Sequence, residues 1–331
     1  MGRKDLSQKY LLEKDDVFAD IINVLLGKGE KLVDARYLES KKTDSVYYDG
    51  EKDELKEMHR DICKKNTEDG QSYVIWGIEN QDKIDYSMPL RCMGYDYISY
   101  KNQKDQILAQ RSLESKNNSK NAMFRKDDKL VPVITLVLNY NKKWDAPLSL
   151  REMLNIPEVV RKYDLAVPDY KINLISLGSL EAEVLEQFTS DFQIIAAQVR
   201  YQEEPKKLRE FYQQHQKPIV HCLEVQKAIA AISNEPRYME FELEKEGSGT
   251  MCQLFDMVLN EGISQGISQG ISQGINQGIE QERKESIIRT ISILRSLNHG
   301  DSDIKNALKC NYKIGDEEVN RYLERTENRD V

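Results

Sequence analysis

The sequence predicts a mixed α/β fold, with the order α-β-β-β-α-β in the first 141 residues and a mainly helical C-terminal extension. Two observations lead to this prediction. Short runs of β-branched and aromatic residues alternate with turn residues, and they lie between two segments whose apolar residues recur at helical spacing. A wholly apolar run, VPVITLVLNY, then follows the second helical segment and is typical of a buried strand.

The first helix is predicted at residues 17–27, in VFADIINVLLG, where glycine ends the pattern. Extended segments are predicted around residues 45–48, 56–65 and 72–81, and the stretch NTEDG supplies the turn before the third one. That third segment, SYVIWGIENQ, is rich in β-branched and aromatic residues, so we expect a central strand.

A long helix is predicted at residues 88–116, with a proline in its first turn, and a buried strand at 131–140. A further strand and helix are predicted at 171–177 and 180–187. Mixed helices are expected to continue to about residue 246.

A four-residue repeat, GISQ GISQ GISQ GINQ GIEQ, begins at Gly262 and ends at Gln281. If it is helical, its glycines and isoleucines form adjacent stripes that allow another helix to approach closely, which favours a homo-oligomer. The alternative is a flexible linker, since each glycine destabilises a helix by up to ~1 kcal/mol relative to alanine. Two short helices, at 302–308 and 316–323, are predicted after the repeat.

These patterns divide the chain into four predicted segments. They are an α/β domain at 1–200, a helical extension at 201–260, the repeat at 261–282, and a helical hairpin or helix-turn-helix-like tail at 283–331. The second helix of the tail begins with acidic residues, DEEVNRYLER, which favours the plain hairpin.

Composition favours a globular protein of the cytoplasm. The chain has 331 residues, 31% of them charged, and no apolar run of the roughly 18 residues needed to cross a membrane, so no membrane partner is expected. The first ten residues lack an apolar signal segment, and the five cysteines show no paired spacing, as expected for a reducing compartment. The four histidines form no zinc motif.

The formal net charge of −8 argues by itself against a nucleic-acid partner. The charge is uneven, however. Residues 1–140 carry 24 Lys and Arg against 25 Asp and Glu, so the acidic excess lies in the remainder of the chain.

Acidic side chains on two successive extended segments are the first sign of a chemical site. If these segments form a hairpin, Asp61 and Glu79 lie roughly opposite each other, and Glu79 and Gln81 share one face. Carboxylates held in this way can bind Mg²⁺ against a phosphate. The alternative is structural: Asp61 pairs with a basic neighbour and Glu79 ends a strand.

Several motifs together resemble the Rpn family of recombination-promoting nucleases, also described as putative transposases with a PD-(D/E)xK nuclease domain. The resemblance rests on DVFADIINVLL, RDICKK, GIENQ and MPLRCMGYDYISY, and it extends over NKKWDAPLSLREML and SDFQIIAAQ. It covers roughly residues 10–200 and, more weakly, the tail. It implies a restriction-endonuclease-like αβββαβ core.

The resemblance also implies a site and a function: a Mg²⁺-dependent DNA endonuclease, in which Mn²⁺ can replace Mg²⁺. The motif Asp falls on Asp61, the motif Glu on Glu79, and the usual Lys position on Gln81. Glutamine brings no charge, so Lys65 is a candidate substitute on the face of Asp61. Asp20 in the first helix is a candidate accessory carboxylate or, alternatively, an exposed helix acid.

Arg91 is a candidate DNA-binding residue at the edge of the cleft, and the alternative is that it packs the second helix on the sheet. For the function, two alternatives stay open beside the active nuclease. One is a catalytically decayed DNA-binding or self-assembling protein, which Gln81 and the acidic balance favour. The other is a scaffold that assembles through the repeat.

Overall fold

The chain has a mixed α/β fold. A computed structural model describes its residues in the ranges 9–41, 44–49, 54–68, 71–114, 123–163, 165–240 and 250–327. The chain divides into two compact units, Met1–Asp256 and Met257–Val331. The four segments expected from the sequence stay a prediction.

The described strands all lie in the first unit. They are β1 (Leu38–Ser40), β2 (Asp44–Asp49), β3 (Glu54–His59), β4 (Ile62–Glu68), β5 (Gln71–Gln81), β6 (Val133–Asn139) and β7 (Asn173–Ser176). Five of them form one sheet in the order β1-β4-β5-β6-β7, and β2 pairs with β3 in a separate antiparallel sheet. Strands β1, β4 and β5 are antiparallel neighbours, whereas β5, β6 and β7 are parallel.

The described helices of the first unit flank these strands along the chain. They are α1 (Asp15–Leu25), α2 (Met88–Glu114), α3 (Leu150–Met153), α4 (Glu158–Lys162), α5 (Ala182–Leu185), α6 (Phe192–Arg200), α7 (Pro205–Gln214) and α8 (Cys222–Ser233). Three 3₁₀ turns lie at Ala35–Tyr37, Leu177–Ser179 and Pro236–Met239. Helix α9 (Met251–Ser296) begins in the first unit and ends in the second.

Helix α2 packs its buried residues against the sheet. Met88 and Cys92, four residues apart, pack against Val137 of β6, and Tyr100 packs on Ile75 of β5 in a neighbouring cluster. Strand residues alternate between the two faces, so the apolar residues at even positions of β5, such as Ile78, lie on the other face. The buried length of β5 explains why this strand reads as a nearly continuous apolar run.

The order α-β-β-β-α-β is present in the five-stranded sheet, but different residues form it. Its first strand is β1, not the predicted segment around 45–48, which lies in the two-stranded sheet as β2. The predicted segment 56–65 is broken: its first part belongs to β3 and its second part to β4. The sequence did not reveal this break, because no glycine or proline marks a turn between residues 54 and 68.

The remaining predicted elements of the first unit are present with shifted ends. The predicted helix at 17–27 is α1, the strand at 72–81 is β5, and the strand at 131–140 is β6. Helix α2 is described to Glu114, and the rest of its predicted range, with residues 241–246 of the predicted helices, lies outside the described residues. The helix predicted at 180–187 is only the single turn of α5.

The second unit is helical in its described residues. Helix α10 (Asp301–Tyr312) and helix α11 (Asp316–Glu327) occupy the places of the two predicted short helices, and both are longer than expected. The last part of α9 packs on them in one apolar core, formed by Ile287, Ile291, Ile304, Leu308, Ile314, Val319, Tyr322 and Leu323.

The glycine repeat lies within α9. Its isoleucines, from Ile263 to Ile279, are 53 to 62% exposed. A Cβ atom added to any of the glycines from Gly266 to Gly278 would meet no atom within 4 Å. This part of the helix therefore carries an apolar stripe with no packing partner within the described chain.

None of the helices in the described ranges combines the length and the apolar character needed to cross a bilayer.

Candidate functional site

Asp61 and Glu79 meet where β4 begins and β5 ends. Ile62 is paired with Ile78, so one further step along the antiparallel register brings Asp61 opposite Glu79. Each carboxylate accepts a hydrogen bond from the backbone of the opposite segment. The backbone N–H of Asp61 donates to Oε1 of Glu79 at 3.2 Å, and the backbone N–H of Asn80 donates to Oδ2 of Asp61 at 2.8 Å. The hairpin that the sequence predicts for this acid pair is confirmed.

Glu79 is fully buried, although it carries a carboxyl group. Burial, followed by the charge of Asp61, raises the pKa of Glu79 to about 8, and the nearby Arg91 and Arg60 oppose this shift. A buried carboxyl with a second carboxylate beside it is unfavourable for folding unless a cation or a proton compensates it. Burial beside Asp61 therefore favours the protonated form of Glu79, and a carboxyl group perturbed in this way is typical of functional sites.

Arg91 on α2 lies at the edge of the acid pair. Its Nη2 is 3.5 Å from Oε2 of Glu79 and 3.1 Å from the hydroxyl of Tyr95, and its Nη1 is 2.7 Å from Oδ2 of Asp85. The side chain is 36% exposed, so one face of the guanidinium can meet a partner from solvent. This position is compatible with both interpretations from the sequence, a DNA contact and packing of the helix on the sheet, since Arg91 binds its neighbours and also reaches the surface.

Gln81 is the last residue of β5, is buried, and lies on the same face of the strand as Glu79. Lys65 is not brought to this place. It pairs with Ile75, four residues along β5 from Glu79, and with Glu39 on β1. Four residues of a strand span about 13 Å, which is more than a lysine side chain can reach. The structure therefore does not support Lys65 as a substitute for the missing motif lysine.

Asp20 has a different role from both sequence interpretations. It is buried, not exposed, and its carboxylate accepts hydrogen bonds from the backbone N–H groups and the hydroxyls of Thr189 and Ser190, at 2.7 to 3.0 Å. These four donors occupy the carboxylate, so it anchors the loop before α6 to α1. The sequence did not reveal this contact, because the partners are about 170 positions apart in the chain.

The sequence did not predict the buried ion pair between Arg60 and Asp96, which lies beside the acid pair. Nη2 of Arg60 lies 2.5 Å from Oδ1 of Asp96 on α2, and both side chains are less than 10% exposed. The sequence contained one signal for Asp96. It follows Met88 and Cys92 at four-residue spacing, and an acid on the apolar stripe of a helix requires a buried partner.

The acid pair has the donor atoms that a hard divalent cation prefers. Mg²⁺ in proteins is often bound by one or two carboxylates, with water and substrate phosphate completing its shell. The repulsion between Asp61 and Glu79 is the electrostatic condition that a cation would relieve. No cluster of three or more His, Cys, Asp or Glu side chains suited to a metal ion occurs in the described ranges, so this chain offers the two carboxylates and no third acid.

A comparison with protein families shows which family this chain belongs to. The model of the family described as "Putative transposase, YhgA-like" matches residues 5–229. The chain belongs to this family. The transposase family that the sequence resembles is thereby confirmed. No curated protein and no solved structure matches the chain.

The YhgA-like region contains the whole candidate site. Asp61, Glu79, Gln81 and the Arg60–Asp96 pair all lie inside the matched residues. The glycine repeat lies outside them. Membership in a transposase family suggests a role in mobile elements and an action on DNA.

Proposed function

We propose that this protein is a metal-dependent DNA endonuclease that hydrolyses phosphodiester bonds and acts in recombination or in the movement of mobile elements. The observation that carries the proposal is the acid pair: two carboxylates that face each other at the start of β4 and the end of β5, each accepting a backbone hydrogen bond from the opposite segment. One of them, Glu79, is fully buried and has a raised pKa. A protein does not gain stability from such a pair, so a functional reason for keeping it is favoured.

The proposed fold is that of PD-(D/E)xK nucleases. Two features support it: the order α-β-β-β-α-β in the five-stranded sheet, and the change from antiparallel to parallel neighbours at β5. Ligands of α/β proteins commonly bind at strand ends, where rigid backbone positions the side chains. The acid pair lies at such a place, because Glu79 is two residues from the end of β5.

Each residue of the site has a proposed role. Asp61 and Glu79 would hold Mg²⁺ or Mn²⁺, which polarises the scissile phosphate and lowers the pKa of a bound water when present. Gln81 can accept or donate a hydrogen bond to the attacking water, but it cannot neutralise charge. Arg91, half-exposed beside Glu79, can bind a phosphate oxygen of DNA and supply the positive charge that Gln81 lacks.

A decayed DNA-binding protein is the alternative function. Arg91 already bonds Asp85 and contacts Glu79, so in this arrangement the carboxylates are partly compensated without a metal ion. The motif lysine is absent, and Lys65 does not replace it. These observations favour slow turnover or none.

Self-association through the repeat is a separate proposal. The exposed Gly-Ile stripe of α9 is regular over 20 residues, so a second copy would present the same spacing to it. Two helices with ridges four residues apart pack at a crossing angle near −50°.

The cytoplasmic location stays a prediction.

Plasmid cleavage tests the proposed function. Purified wild type, Asp61→Ala and the matched control Glu68→Ala are each incubated with supercoiled DNA, once with Mg²⁺ and once with EDTA. Glu68 ends β4, the strand that begins directly after Asp61, and its side chain is exposed, so its replacement should leave cleavage unchanged. Nicking that needs Mg²⁺ and Asp61 supports the endonuclease. Binding of DNA without cleavage by wild type would refute it and favour the decayed protein.

A further inference from the structure

We infer that Arg60 is a positioning residue, whose buried side chain fixes the chain at residues 60–61 so that Asp61 meets Glu79. This inference rests on the proposed function, since it names a residue that holds the proposed site together. Arg60 touches neither DNA nor the reacting atoms in this scheme. It acts through Asp61, its neighbour in the chain.

Asp61 needs such support because it lies outside regular structure. Strand β3 ends at His59 and pairs in the two-stranded sheet, whereas β4 begins at Ile62 and pairs in the five-stranded sheet. The chain passes from one sheet to the other at residues 60–61. The regular ladders of the two sheets therefore do not fix Asp61, and a side-chain anchor at this junction can.

Arg60 has the contacts of an anchor. Its side chain is 4% exposed, and Nη2 binds Oδ1 of Asp96 at 2.5 Å. The guanidinium also lies over the ring of Tyr95, with 5.4 Å between Cζ and the ring centroid. Both partners belong to α2, so Arg60 ties the junction to a helix that packs on the sheet.

Asp96 is itself held from other elements. Its Oδ1 accepts from the hydroxyl of Thr135 on β6 at 2.8 Å, and its Oδ2 accepts from the hydroxyl of Tyr170 at 2.5 Å. Donors from the junction, from β6 and from the segment before β7 thus converge on one carboxylate. A carboxylate with three fixed donors gives Arg60 a single defined position.

Gly77 makes room for this arrangement. A Cβ atom at this position would lie 2.7 Å from Nη1 of Arg60, which is too short for a contact between these atoms. Gly77 precedes Glu79 by two residues, so both point toward the same face of β5. The guanidinium therefore passes directly over the strand that carries Glu79, where any larger residue would displace it.

Lys64 provides a matched control. It is also a buried cation of this region, 1% exposed, and it binds the backbone carbonyl of Glu13 and the carboxylate of Asp15. Its ring contact is with Phe18 on α1, so it anchors a different helix. Loss of Lys64 removes a buried cation close in the chain, whose partner Asp15 is 51% exposed, without touching the Arg60 contacts.

Hydrogen exchange of the metal-free protein tests the inference directly. The amides of Asp61 and Asn80 donate the two hydrogen bonds of the acid pair, so their exchange rates report its geometry without DNA or metal. We expect Arg60→Met and Gly77→Ala each to raise the exchange rate of both amides at least tenfold. Without the anchor, local opening should need much less free energy than global unfolding. Arg60→Lys keeps the charge and should rescue part of the protection. Lys64→Met should leave these amides within about twofold of wild type.

The outcomes separate the inference from the proposed function. Equal rises in Arg60→Met and Lys64→Met, or no rise in Arg60→Met, overturn the inference. If Arg60→Met does not fold, Gly77→Ala decides, because it displaces the guanidinium without removing either charge. Wild-type protein that does not cleave DNA, together with the expected exchange pattern, refutes the nuclease and leaves the positioning role intact. Cleavage by wild type with unchanged exchange in the variants refutes the positioning role alone.

Discussion

Replacing Glu79 with glutamine should change how the stability of the metal-free protein depends on pH. The substitution keeps the shape of the side chain and removes its ionisation. Like the protonated acid, glutamine offers a carbonyl acceptor on one side and a donor on the other. Glu79 has a folded-state pKa of about 8 against a usual value of 4.5, because it is buried beside Asp61. The variant lacks this titration, so the difference between the two proteins isolates the contribution of one carboxyl group.

The sign of the effect follows from proton binding. Between the two pKa values the folded state holds a proton on Glu79 that the unfolded state has released, so the free energy of unfolding falls as pH rises. Below the unfolded pKa both states are protonated and nothing is lost. Since one pKa unit corresponds to about 1.4 kcal/mol, the full loss is about 5 kcal/mol, of which about 4 kcal/mol falls between pH values of about 5 and 8.5.

Denaturant titrations in EDTA at these two pH values measure the effect. The free energy of unfolding of wild type should fall relative to Glu79→Gln by about 4 kcal/mol from the lower to the higher pH. Glu39→Gln is the matched control, because Glu39 lies in the same sheet with an exposed side chain. Its substitution should change stability by less than about 0.5 kcal/mol at either pH.

A difference between wild type and Glu79→Gln that is the same at both pH values would refute the reasoning. It would mean that Glu79 ionises as readily in the folded protein as in the unfolded chain, so that burial and Asp61 do not disfavour its charged form. Mg²⁺ in place of EDTA should reduce the pH dependence of wild type, because a bound cation stabilises the ionised carboxylates.

Three further predictions concern other parts of the chain. Lys65→Ala should retain full cleavage in the plasmid assay, because Lys65 lies about 13 Å along the strand from the acid pair; a loss of activity would contradict the observed register. Asp20→Ala should lower the free energy of unfolding by about 1 to 3 kcal/mol, measured by denaturation, since it removes the acceptor of two part-buried backbone N–H groups, while metal affinity in calorimetry stays unchanged. Alanine at the four glycines of residues 266–278 should stabilise this part of the helix by up to ~1 kcal/mol per site. The helix content measured by circular dichroism should therefore rise. If the stripe also mediates self-association, the same substitutions should lower the mass measured by light scattering.

Much of the fold could be predicted from local sequence patterns. The places of β5, β6 and α1 in the chain follow from apolar runs and periodicity, which act over a few neighbouring residues, although their ends differ by up to two residues. A hairpin with a short turn also predicted that Asp61 and Glu79 lie roughly opposite each other. The structure adds a register shift between Asn66 and Thr67, without which the register at the turn would place Asp61 opposite Ile78. The face of Gln81 needed only the alternation of a strand. These features depend on interactions close in the chain.

Long-range partners could not be predicted in the same way. Asp20 was expected at the surface or at a metal, but its partners lie in the loop before α6. The break of the segment 56–65 into two strands depends on which sheet each half joins. Neither choice is encoded in the polarity of the residues themselves, since each depends on a partner brought near only when the chain is folded.

The sequence alone therefore determined the order of elements, the acid pair and the family resemblance, because periodicity, turn residues and motif spacing are properties of neighbouring residues. Only the tertiary structure decided that Glu79 is fully buried, that Arg60 is clamped to Asp96, and that Lys65 is out of reach. The physical reason is that burial and charge pairing depend on the packing of a helix on a sheet. The raised pKa of Glu79 and the buried Arg60–Asp96 pair arise only once that packing has excluded water.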